Sequence, residues 1–198
     1  MAEPRELYHL IGTNVTQSGQ IEDPPAKDAH LEKAYQQIGW WKGPQPPREL
    51  RRESQKFWTS VGESGIRWLV ARLRQERNIE VLHGAASLLA SLGPAIVPPI
   101  LDELDGTRAR DNGLALLGAL GKLSPDVGRL YQTRLFNTLR GYLENPLLEL
   151  REAAAAATAI LPAEQAVRLL EDALRAETNP VVRETLQDAI ADRQQEQD

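Results

Sequence analysis

The sequence predicts an all-α solenoid of about four stacked helical hairpins. An irregular N-terminal arm and a helical cap carrying tryptophan precede them. Three observations carry this expectation. The apolar residues are mainly Leu and Ala, which favour helix, while the aromatics that favour strands make up only 5% of 198 residues. From about Ser64 onward, apolar positions recur at three- and four-residue spacing in one segment after another. These segments alternate in kind, with Gly, Pro and Asn punctuating their ends.

Residues 1–27 show no sustained period and contain Gly12, Gly19, Pro24 and Pro25, so they read as an irregular arm. Residues 28–62 read as capping helices joined by a Pro-rich linker. Asp28 has the character of an N-cap, Leu31, Tyr35 and Ile38 follow at helical spacing, and Gly39 is a terminator. Trp40 and Trp41 come next, then the stiff stretch 43–47, then a helix over 47–61 with Leu50, Phe57, Trp58 and Val61 on its apolar face. Residues 63–193 read as the solenoid. Its helices are predicted over 64–74, 79–92, 94–104, 108–120, 125–144, 146–161, 163–176 and 180–193, with a polar tail at 194–198.

Within each hairpin the second helix carries small residues where the first carries large ones. The run from Gly84 to Gly93 matches the run from Asn112 to Gly121, and the alanines at 153–157 follow in the next pair. Small side chains let neighbouring helices approach closely, so layers can stack. The entries to the second helices recur too: Asn78, Asn145-Pro146 and Asn179-Pro180 each supply a capping side chain or a first-turn proline.

The stretch from about Ser64 to Arg193 resembles HEAT repeats, two-helix units of α-solenoids. Pro94 and Pro98 match the early proline of a first helix. Val182-Arg183, and more loosely Leu150-Arg151, match the valine-arginine pair of a second helix. Leu92-Gly93 and Leu120-Gly121 match its leucine-glycine ending. His83 and Asp111 stand where that pattern has arginine. The resemblance implies a right-handed superhelix serving as an adaptor or scaffold, and fold alone does not fix a function.

Composition closes several routes. The chain has no cysteine, so thiolate chemistry and disulfides are excluded. Its first twelve residues lack the basic and apolar stretches of a secretion signal, and the uncharged run 82–101 is broken by prolines. A cytoplasmic, non-membrane protein is therefore expected. His9, His30 and His83 form no metal-ligand spacing. The run from Gly118 to Ser124 only faintly resembles a phosphate loop. Neighbouring carboxylates such as Asp102/Glu103 and Glu171/Asp172 read as solvated faces. No catalytic residue, cofactor or metal is expected.

Charge is graded along the chain. Residues 48–77 hold eight basic and four acidic side chains, and residues 141–198 hold five basic and twelve acidic. A protein partner is expected on the face formed by the second helices, through Glu80, His83, Ser87, Arg108, Asp111, Asn112, Glu149 and Glu152. Trp40 and Trp41 form either a partner hot spot or part of the cap. The alternative is a nucleic acid held by Arg67, Arg74 and Arg77 beside Trp58 and Trp68, as the HEAT resemblance to alkylpurine DNA glycosylases allows. A HEAT-fold glycosylase or lyase is the enzymatic variant of that alternative.

Overall fold

The computed structural model describes residues 24–38, 48–106 and 110–195. Trp40, Trp41 and Arg108 lie outside these residues, as do most of the expected arm, the Pro-rich linker and the end of the tail. The described helices are α1 (Pro24–Ile38), α2 (Arg48–Ser60), α3 (Gly62–Arg72), α4 (Ile79–Ser91), α5 (Val97–Gly106) and α6 (Arg110–Leu120). They continue with α7 (Pro125–Leu130), α8 (Gln132–Leu143), α9 (Leu148–Ala157), α10 (Ala163–Ala176) and α11 (Pro180–Gln195). No strand occurs among the described residues.

Two layers result. Helices α1, α3, α5, α8 and α10 stack in an outer layer, and α2, α4, α6, α9 and α11 in an inner one. The inner helices pack the more closely, because side chains there are small. A Cβ added at Gly113 would meet Leu150 Cδ2 at 3.0 Å, and one at Gly121 would meet the Ala156 carbonyl oxygen at 3.1 Å. Closer packing in the inner layer favours a bend toward it, which would make its free surface the concave face. Between the layers runs one continuous apolar core, from Leu31 and Trp58 through Leu89, Leu117, Leu139 and Ala154 to Leu170 and Leu186. The fold is an all-α solenoid.

Local chemistry explains the helix ends. Asn78 sits in extended conformation and its Oδ1 accepts the Glu80 N–H at 3.0 Å. Asn179 likewise accepts from Val181 N–H, so two inner helices begin on the same device, whereas Asn145, expected as a cap, accepts from Leu147 N–H in the turn before α9, which starts at Leu148 with no side-chain cap. Gly62 and Gly93, at φ of +63° and +70°, turn the chain between helices where a side chain would be strained.

Three expectations need correction. The first helix begins at Pro24, so Asp28 lies inside it rather than at its cap. The helix expected over 125–144 is two helices, because Tyr131 leaves the helical region at φ −123°, ψ 17°. This break lays α7 against the 3-10 turn Thr158–Ile160, so closely that a Cβ on Gly128 would fall 1.8 Å from the Ile160 carbonyl oxygen. The helices expected over 64–74 and 146–161 end in 3-10 turns, at Leu73–Gln75 and Thr158–Ile160.

Candidate functional site: the concave face

Several charges on the outer layer are paired within the molecule. Arg67 of α3 bonds Asp102 of α5 at 2.6 Å and Glu63 at 2.9 Å. Arg134 of α8 reaches both Asp102 and Asp105 at 2.7 Å, and Thr138 donates to Asp105. Hydrogen bonds from Arg67 and Arg134 hold the Asp102 carboxyl below the usual carboxylate range. Arg74 grips Glu103 with two bonds of 2.5 and 2.6 Å. Glu103 is buried, which corrects the expectation of a solvated face. Tyr142 donates to the Leu104 carbonyl, and burial pushes its hydroxyl pKa up to about 12.

The expected Arg and Trp shoulder is thus largely closed on itself. Trp58 is 0% exposed, stacked on Trp68 with centroids 6.4 Å apart and edge-on to Phe57. Tyr35 meets the edge of Trp68 and donates to Glu76 at 2.7 Å, while Arg72 lies over its ring and pairs with Glu32. Burial disfavours ionisation of Glu76. The Tyr35 hydroxyl and the Asn78 and Arg77 N–H groups outweigh that and hold its pKa low. Of the three arginines expected to meet nucleic acid, Arg67 and Arg74 are engaged by acids and Arg77 is exposed.

Loops at the start of the inner helices form a second polar band. Arg151 bonds Glu177 through two contacts, of 2.6 and 3.2 Å, and donates to the Asn145 and Pro146 carbonyls. Arg183 does the equivalent, donating to the Leu174 and Glu177 carbonyls. Burial opposes the charge on Glu177, but Arg151 and the Asn179 and Thr178 N–H groups prevail and lower its pKa. This pair lines a cavity of about 590 Å³ between α8 and α10.

Open surface remains on the concave face. Between α4 and α6 lies a groove of about 330 Å³, lined by Ile79, Leu82, His83, Ala86, Leu114 and Gly118 among others. Ala86, Ala115 and Gly118 keep it open, and a Cβ at Gly118 would meet nothing within 4 Å. Ile79 at one end is 51% exposed. Lys122 at the other end donates to Ser87 Oγ at 2.9 Å, bridging the two helices.

The structure distributes the expected partner residues unevenly. Glu80, His83 and Ser87 are exposed on α4, and His83 and Ser87 line the groove. Glu149 and Glu152 are half-buried on α9, where Glu152 accepts from Thr185 of α11. Asn112, expected at the surface, is 1% exposed: its helix turns it inward, 3.5 Å from Glu103. Of Asp111 only the backbone is described. The apolar groove residues Ile79, Leu82, Leu114 and Gly118 were not among the expected site residues. Nothing in a helical period distinguishes an apolar residue facing the core from one lining a groove.

Among the described residues, no three His, Cys, Asp or Glu side chains converge to hold a metal ion, and no helix is long and apolar enough to cross a membrane. No protein-family model matches the chain, and no curated protein does. It is similar in structure to designed armadillo repeat proteins. One, designed for modular peptide recognition, shares 15% identity and a TM-score of 0.48 over 96% of this chain and 99% of its own. Another, in complex with the peptide (KR)4, shares 16% identity and a TM-score of 0.45 over 94% and 98%.

Proposed function

We propose that this chain is a non-catalytic protein-binding module, an adaptor or scaffold that holds a segment of a partner on its concave face. The groove between α4 and α6 is the observation that carries the reading. It is an open apolar slot between two inner helices, rimmed by His83 and bridged by Ser87 and Lys122. A slot of this kind suits an apolar side chain from a partner, with polar groups around it to fix orientation. We read the hairpins as HEAT-like units, supported by the equivalent roles of Arg151 and Arg183, and place the protein in the cytoplasm, in keeping with the absence of cysteine. Trp40 and Trp41 belong to this reading as a second contact.

Affinity purification from the native cell, with and without nuclease, tests the proposal when run beside Gly118→Leu. The variant fills open space, so it should fold normally while blocking the groove. A stoichiometric protein partner that survives nuclease and is lost with Gly118→Leu is the expected result. Recovery of nucleic acid, or a partner indifferent to the groove, would overturn it. Internal pairing of Arg67 and Arg74 weighs against the nucleic-acid alternative.

A further inference from the structure

The two terminal helices of the inner layer each carry an exposed charged stripe, and the two stripes are opposite in sign. On α2, Arg48, Arg52 and Lys56 fall four residues apart and form one exposed stripe, opposite the buried Ser54, Phe57 and Trp58. None of the three makes an ion pair with a described residue. Glu49 and Glu53 occupy the adjoining stripe. On α11 the arrangement is reversed. Its basic residues turn inward: Arg183 to the Leu174 and Glu177 carbonyls, and the buried Arg193 to the Ala159 carbonyl. Its acids Glu184, Asp188 and Asp192, again four apart, stay exposed and make no ion pair with a described residue. Between these ends lies the apolar groove of α4 and α6.

Resting on the docking face proposed above, we infer that the concave face takes an extended partner segment of ordered chemistry: acidic residues over α2, a bulky apolar residue in the groove, and Lys or Arg over α11. Stacked helices lie about 9 Å apart, so α2 and α11 are separated by about 36 Å along the layer. An extended chain covers that distance in about 11 residues. The groove sits one and a half steps from α2 and two and a half from α11. The acidic cluster should therefore lie about four residues from the apolar anchor, and the basic cluster about seven residues beyond it on the other side. A helical segment would need about 24 residues to span the same length, and its side chains would leave the face every turn. Reversing the segment against the face would set acid on acid and base on base, so the gradient fixes its direction.

Selection from a random displayed library of peptides about 16 residues long, against the full chain, tests this. The expected ligands carry acids at one end, an apolar anchor about four residues in, and bases about seven residues further. Their affinity should fall with salt, and drop about tenfold or more for the triple variant Arg48→Glu, Arg52→Glu, Lys56→Glu. Selection repeated on that variant should replace the acidic end by a basic one. Ligands that are lost with Gly118→Leu but show no charge order, or that ignore the triple variant, would overturn the gradient and leave the docking face standing. A selection yielding nothing sensitive to Gly118→Leu would remove both.

Discussion

At the scale of single residues, the glycines divide by what surrounds them. Gly128 is the tightest of the described glycines, since the atom an added Cβ would strike is the backbone oxygen of Ile160. Gly128→Ala should cost about 3 kcal/mol in urea unfolding, and a neutral result would mean that α7 does not rest on that turn. Gly118 and Gly141 stand inside helices with open space around them, and Gly118→Ala or Gly141→Ala should stabilise by about 0.5–1 kcal/mol. The sequence marks all three as interruptions of a helical period and cannot tell them apart, because the difference lies in which other segment approaches. Glu177 yields a pH prediction. Its folded pKa lies below its unfolded value of about 4.3, so its contribution is present above that pH and disappears as pH falls through the folded value. Glu177→Gln should be less stable than the natural protein by about 1–3 kcal/mol at neutral pH, with the gap narrowing at an acidic pH below the folded value. An equal gap at both pH values would place the effect elsewhere.

Element by element, the helix boundaries separate what local chemistry dictates from what packing imposes. Asn78 and Asn179 are visible as caps in the sequence and act as caps, because an N-cap is a contact between near neighbours, whereas Asn145 bonds within the turn ahead of α9. Asn78→Ala should lose about 1 kcal/mol on thermal or urea unfolding. Ser124→Ala, whose hydroxyl makes no capping bond to α7, should stay within about 0.5 kcal/mol. Equal losses would show that the asparagine bonds contribute nothing particular. The break at Tyr131 was not legible, since 125–144 keeps its apolar period across it. Neither was the inward turn of Asn112 or the burial of Glu103, which depend on how α5 and α6 rotate against each other. The small residues of the inner helices were legible as a packing code, and the core bears that out. The groove was not, because it is the space those same residues leave behind.

For the whole molecule, stability should be distributed along a line of repeats rather than shared equally. All four tryptophans lie in the first 68 residues, and Trp58 and Trp68 are packed where the stack begins. Tryptophan fluorescence therefore reports on one end, whereas far-UV circular dichroism averages over every helix. Among the described residues that end has a neighbour on one side only, so the fluorescence transition should fall at lower urea than the dichroism transition. Superimposable curves would instead mean one cooperative unit. The contrast between the two layers also has a mechanical side. Apolar contact between Gly and Ala surfaces fixes the spacing of the inner rim, and salt barely alters it. The outer rim is tied by Arg67, Asp102, Arg134 and Asp105, which salt does weaken. One edge of the stack is a fixed hinge line and the other an ionic spring, so the arc of the molecule, and the width it offers a guest, should respond to the ionic strength around it.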